Sequence, residues 1–195
     1  AASPHGKLTP DLAEIINYIV ALNYGLGRLN ELPLSNRLLR DIHKELLKGV
    51  RGEQMTPGEF RRTQNWIGPA GCDLSNAIFI PPPPTEMERV MGELETFIHR
   101  DTPMPALVKI GLIHSQFETI HPFLDGNGRI GRLLITFFLC QQGILKHPLL
   151  YLSSFFKQHR DEYYTRLQAV REAGEWEQWL RFFLTAVWQV SQEAA

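Results

Sequence analysis

The sequence predicts an all-α domain of about seven to eight helices with one small β-hairpin flap. Three observations lead there. Apolar residues recur at helical spacing along most of the chain, short stretches rich in Gly, Pro, Ser and Asn separate these runs, and a single segment mixes β-prone with turn residues. With 44% hydrophobic residues in 195, the chain can bury one core, and its length suits a single domain without repeats. Twenty Lys and Arg against 21 Asp and Glu leave a formal net charge of −1. That balance lacks the cation surplus that nucleic-acid or anionic-membrane binding needs, so neither partner is expected. Cys72 and Cys140 form neither a disulfide framework nor a metal-ligand spacing. No run approaches the ~18 apolar residues of a membrane span, and Ala1 to Gly6 lack a leader pattern, so a cytoplasmic location is expected.

Taken in order, Thr9-Pro10 places an N-cap residue before a proline at a first helical position. Leu12, Ile15, Ile16, Ile19, Leu22, Leu26 and Leu29 follow at helical spacing, predicting a long helix that stops near Pro33. Ser35 caps a second helix whose Leu38, Leu39, Ile42 and Leu46 share a face, with Gly49 as terminator. Thr56-Pro57-Gly58-Glu59 has the form of a capping box and predicts a short third helix. From about Asn65 to Pro82, turn residues separate Trp66-Ile67-Gly68 from Asn76-Ala77-Ile78-Phe79-Ile80, and the prolines Pro81 to Pro84 follow, predicting a hairpin-like flap. Helical spacing resumes after Thr85 through Met87, Val90, Met91, Leu94, Phe97 and Ile98. It continues from about Pro105 to Thr119, with Leu107, Ile110, His114 and Phe117 on one stripe. A polar loop, His121 to Asn127, leads into a helix carrying Ile130, Leu133, Leu134, Phe137 and Phe138, which ends near Gly143. One helix from about Phe155 to Ala173, and another with Trp176, Trp179, Leu180, Phe183 and Val187 inward, close the chain.

Between two strongly periodic helices stands His121-Pro122-Phe123-Leu124-Asp125-Gly126-Asn127-Gly128-Arg129-Ile130-Gly131-Arg132. Gly126 and Gly128 let backbone N–H groups turn inward, and the next helix offers free N–H donors and a positive dipole end there: a phosphate pocket. Arg129 and Arg132, three apart, share one side of that helix and can fork onto phosphate oxygens, with Asn127 as an uncharged donor. Asp125 is the hard oxygen ligand that Mg²⁺ takes when substrate phosphates supply the rest. His121, with a pKa naturally near neutrality, suits proton abstraction from an attacking hydroxyl. Phosphoryl-type transfer needs that combination, since its catalysis is alignment and charge stabilisation. Other patterns fit less well: Gly126-x-Gly128-x-x-Gly131 matches a dinucleotide fingerprint, but no strand precedes it; Arg129 stands where an EF-hand needs an oxygen; no Gly-Lys-Ser/Thr is present for a P-loop. The bland reading is a glycine-rich turn with two surface arginines.

The run from His121 to Arg132 resembles the motif of Fic-domain proteins, H-x-F-x-(D/E)-G-N-G-R-x-x-R, at every specified position. Resemblance extends from Gly58-Glu59-Phe60-Arg61-Arg62 through the flap to Tyr163-Tyr164. It implies a single Fic domain over 1–195, with an N-terminal helical extension at about 1–50, a flap at about 65–82 and a catalytic loop at 121–132. It further implies a protein adenylyltransferase that moves AMP from ATP to a Ser, Thr or Tyr hydroxyl of a target protein, or of itself. By position, His121 resembles the general base and Asp125 the Mg²⁺ ligand; Gly126, Asn127 and Gly128 would form the anion hole; and Arg129, Ile130, Gly131 and Arg132 would complete the ATP site. Tyr163 and Tyr164 resemble adenine-side residues, with helix packing as the competing reading. Asn76, Ala77, Ile78, Phe79 and Ile80 of the flap would hold an extended target segment by backbone pairing.

Many members of that family carry an inhibitory Ser/Thr-x-x-x-Glu-Gly/Asn string, which these 195 residues lack. The chain begins without Met, so the inhibitory segment is expected upstream. A phosphotransferase, another nucleotidyl or phosphocholine transferase, an AMP remover and a nucleotide-responsive regulatory module stay open, as does a homodimer. His114 reads as a hydrogen-bonded core histidine, His159 and Arg160 as a solvated helix face, and the Trp176 to Trp188 aromatics as core or interface.

Overall fold

A computed structural model describes residues 9–69, 71–148 and 150–193. The first eight positions of the expected N-terminal extension, and Ala70 of the expected flap, lie outside the described residues. Eight helices follow in order: α1 (Pro10–Leu29), α2 (Asn36–Leu46), α3 (Pro84–His99), α4 (Ala106–Ile120), α5 (Asn127–Gln141), α6 (Leu152–Gln158), α7 (Arg160–Ala173) and α8 (Trp176–Glu193). Thr9 caps α1 by accepting from Leu12 N–H, and Ser35 caps α2 by accepting from Leu38 N–H. Pro84 starts α3 at a position whose N–H has no helical partner.

The all-α class is borne out, and the α4–α5 pair is its centre. One side of the pair packs on α1 and α2, the other on α3, α7 and α8. Ile110, Ile113, Phe117, Ile130, Leu133, Leu134 and Phe137 of these two helices are fully buried. Trp179 of α8 is buried too, and its indole N–H donates to Gly111 O at 2.9 Å. No described helix is long and apolar enough to cross a membrane.

Three expectations are corrected. Thr56 to Glu59 is a turn, not a third helix. Gly58 sits at φ +84, its N–H donates to His43 Nδ1 and its carbonyl accepts from Arg40 Nε, so bonds to α2 replace the first turn of a helix. The hairpin reduces to one antiparallel bridge, Ile67 with Phe79, closed by N–H···O bonds of 2.9 and 3.1 Å. Continuing that register would pair residue 65 with Pro81 and residue 77 with Pro69; each proline lacks the N–H the ladder needs, so pairing stops at a single rung. The expected helix from Phe155 to Ala173 is two, α6 and α7, broken at His159 (φ −108, ψ 38), whose ring stacks on Phe155 with centroids 4.1 Å apart. On α1 the apolar stripe buries only its C-terminal half: Leu22 is buried, whereas Leu12, Ile15, Ile16 and Ile19 are exposed.

Candidate active site

α4 ends on His121, which adopts the left-handed conformation at φ 50, ψ 60. A non-glycine side chain there is strained and persists only where its surroundings hold it. Those surroundings are Arg61 and Asn65. Arg61, 1% exposed, donates through Nε to His121 O at 3.0 Å and through Nη2 to Ile120 O at 3.4 Å, placing a cation at the end of α4. Asn65 Nδ2 donates to His121 O and Phe123 O at 3.1 and 3.0 Å. The His121 ring donates Nδ1–H to Glu118 O at 3.3 Å, which leaves Nε2 as the atom that can accept a proton. Burial pushes its pKa down to about 4; Arg171 and Arg61 act in the same direction, while the bond to Glu118 O and the charge of Asp125 oppose it.

The loop reaches α5 through Gly126, at φ 83, the N-cap position. Glycine offers no side-chain cap, so the first N–H groups of α5 face outward with none of their usual side-chain acceptors. His43 of α2 holds the loop from below: it takes Gly58 N–H on Nδ1, donates Nε2–H to Asp125 O at 2.9 Å and stacks on Phe123 at 3.8 Å. Burial pushes its pKa down to about 4, so it does this work as a neutral ring. Asp125 accepts Gly126 N–H on Oδ1 at 2.6 Å, and a methyl on Gly52 would lie 2.8 Å from its Oδ2, so the absent side chain keeps that oxygen open.

Arg129 lies 3.3 Å from Glu14 of α1 and 3.8 Å from Asp125, and Arg51 also reaches Glu14, at 3.5 Å. Arg129 Nη2 and Arg132 Nε are buried with no hydrogen-bond partner among the described residues. A methyl on Gly128 would sit 3.3 Å from Arg132 Nη1. Uncapped helix N–H groups and two under-satisfied guanidinium groups thus face one place, an anion site.

Three residues expected to touch ligand serve the scaffold instead. Asn127 is 2% exposed, accepts Phe123 N–H on Oδ1 at 2.9 Å and donates Nδ2–H to Phe123 O at 2.7 Å, so its side chain ties the loop and only its backbone remains for an anion. Ile130 is fully buried in the core. Gly131 is the close approach of α4 and α5: its carbonyl accepts from His114 Nδ1–H at 3.0 Å, and a methyl there would lie 2.5 Å from Glu118 Oε1. His114 is the core histidine expected, with Nε2 accepting from Tyr163 O–H at 2.9 Å.

That bond also separates the tyrosine pair. Tyr163 is buried with its hydroxyl committed to His114, so it presents nothing to an adenine; Tyr164 is 49% exposed. Tyr164 lines a cavity of about 450 Å³ with Ile67, Gly68 and Ile78 of the flap and Arg160, Gln168 and Arg171 of α7. In the flap, Asn76 is in a turn, its Oδ1 accepting from Asp73 N–H, while Ile78 and Ile80 are exposed. Phe79 lies beneath Arg171, whose guanidinium is 4.2 Å from the ring centroid.

Glu14, His43, Glu118 and Arg171 were not singled out from the sequence. The available signals were His43 directly after Ile42 of an inward face and Glu118 one turn before His121 in an apolar helix. Among the described residues no group of three or more His, Cys, Asp or Glu gathers to hold a metal.

The Fic/DOC family profile matches residues 33–139, more than half of the sequence, and the chain belongs to that family. It is 31% identical over 182 residues to a protein adenylyltransferase Fic of Culex quinquefasciatus, covering 91% of this chain and 33% of that protein. It is 28% identical over 172 residues to a probable protein adenylyltransferase of Aquifex aeolicus, covering 85% and 47%. The fold superimposes on a crystal structure of a Fic family protein from Desulfovibrio desulfuricans with a TM-score of 0.79 at 23% identity, covering all of this chain and 55% of that one. The chain spans between a third and half of the length of these curated relatives.

Proposed function

We propose that the chain transfers AMP from ATP to a hydroxyl of a target protein. The observation that carries the reading is His121 with Nδ1 tied and Nε2 free at the mouth of an uncapped helix N-terminus flanked by Arg129 and Arg132. The ATP phosphates lie on the N–H groups of Asn127 and Gly128 and on the two guanidinium groups, which draw charge toward the leaving pyrophosphate. The hydroxyl oxygen attacks the α-phosphorus, its proton passes to His121 Nε2, the bond to the β-phosphate oxygen breaks, and pyrophosphate leaves.

Mg²⁺ fits this site through Asp125 alone, since Oδ2 is kept open at Gly52 and the remaining ligands of that cation come from phosphate and water. Bound there, it would neutralise charge on the phosphates. The cavity beside Tyr164 takes the adenine, which explains why an aromatic ring is left exposed there. The target segment pairs with the backbone edge beside Ile78 and Ile80, and the free cysteines suit a reducing compartment, the cytoplasm.

Intact-mass measurement after incubation with ATP and Mg²⁺ tests the proposal. A gain of one AMP on the chain or on an added target supports it; a gain of phosphate makes the site a phosphotransferase; no change on any substrate removes the catalytic reading.

A further inference from the structure

Glu118 takes no part in the steps above, yet it is the acid nearest the base. It lies one turn before His121 on α4 and is 6% exposed. Its Oε2 is 3.9 Å from His121 Nδ1, and its Oε1 is buried with no hydrogen-bond partner among the described residues. The fold makes room for this carboxylate, because Gly131 is the residue whose smallest possible side chain would collide with Oε1. A buried carboxylate is costly, and a neutral side chain of the same length would fill this place at lower cost.

The chemistry of His121 supplies the reason for tolerating it. A general base acquires positive charge, and burial, Arg171 and Arg61 all disfavour that charge. The groups facing the pair are His114 on α4, Arg132 on α5, Tyr163 and Arg171 on α7, Arg61 from the segment after α2, and Asp125 in the loop. Of these only Asp125 is an acid, so the Nδ1 edge of the ring has one carboxylate against it, that of Glu118.

We propose, resting on the adenylyl-transfer reading, that Glu118 is a positioning residue: its carboxylate faces Nδ1 of His121, keeps Nε2 toward the incoming hydroxyl and offsets the charge of the protonated ring. The hydroxyl proton goes to Nε2, the Nδ1 proton stays where it is, and Glu118, ionised at alkaline pH, stays an anion through the step. It touches no substrate.

A consequence for stability separates this role from a packing role. Burial pushes the Glu118 pKa up to about 7 from 4.5, with Arg132 and Arg171 opposing. The folded chain therefore holds a proton that the unfolded chain has released. Stability from this group is present below pH 4.5 and is lost as the pH rises toward and through 7. Removing the charge should relieve the fold at alkaline pH while harming the reaction.

The test compares wild type with Glu118→Gln and Glu118→Asp. Nitrogen NMR of the intact chain at pH 8, where Glu118 is ionised, should show the His121 ring as the Nδ1–H tautomer in wild type and Glu118→Asp, with a larger share of the Nε2–H tautomer in Glu118→Gln. At pH 8, kcat for AMP incorporation should fall about 10- to 100-fold in Glu118→Gln, with KM for ATP little changed and the melting midpoint unchanged or higher. An identical tautomer population in wild type and Glu118→Gln at pH 8 overturns the proposal, as does a raised KM at unchanged kcat. The tautomer is read without turnover, so a wild-type chain that transfers nothing defeats the functional reading while the tautomer still decides the role of Glu118.

Discussion

The loop from His121 to Asn127 and the flap from Asn65 to Pro82 border the same site but are held in opposite ways. The loop is fixed by buried side chains that bond its backbone from four directions: Arg61, Asn65, His43 and Asn127. Between its anchored ends, where Asn65 is buried and the carbonyls of Pro81 and Pro82 accept from Gln64 and Arg61, the flap has one bridge, one guanidinium over Phe79 and exposed isoleucines. Reacting groups must keep their geometry to a fraction of an ångström, whereas a segment that pairs with many sequences needs free backbone and few commitments. On the adenylyl-transfer proposal, the rigid half would do the chemistry and the more lightly held half would meet the partner.

Substitutions in the two regions should therefore fail differently. Removing the base by His121→Ala should lower AMP incorporation by about 10²–10⁴-fold while calorimetry still shows ATP binding. The neutral histidines make the rigid half acid-sensitive: burial pushes His43, His114 and His121 down to about 4 from 6.5. The unfolded chain takes up protons first, so stability falls as the pH drops from 6.5 through 4, by up to about 3 kcal/mol per histidine, and melting curves over that range check it. Asn127→Ala leaves the buried Phe123 N–H without a partner and its C=O with Asn65 alone, and should cost about 1–3 kcal/mol in denaturant unfolding. Arg132→Ala removes a charge-assisted contact and should weaken ATP binding by about 1.5–3 kcal/mol with little change in folding. On the flap, Phe79→Ala loses the stacked guanidinium, worth about 1 kcal/mol, and should raise KM for the target protein while kcat stays the same. A flap substitution that lowered kcat as much as His121→Ala would erase the distinction.

Most of the fold was legible because seven amphipathic segments announce themselves by spacing, and the loop was legible because its polar run interrupts that spacing. The single-rung flap was also written in the sequence, in the placement of Pro69 and Pro81 two residues from the paired positions, but only a fixed register reveals it. The break at His159 carries no proline or glycine, so periodicity ran through it. The supporting residues were hidden for another reason. Glu14, His43, Glu118 and Arg171 are single polar side chains in helices, and what each one touches is decided by tertiary contacts that sequence spacing does not encode. Tyr163 shows the converse: an adjacent pair of identical residues points in two directions, one into the core and one to the surface.

The left-handed corner at His121 sets backbone preference against chemistry. Glycine would adopt φ 50 freely, whereas histidine pays roughly 1–2 kcal/mol to do so. His121→Gly should thus yield an inert chain that withstands heat better than His121→Ala. Heat resistance gained together with lost turnover in His121→Gly would measure what this corner gives up in stability to hold an imidazole.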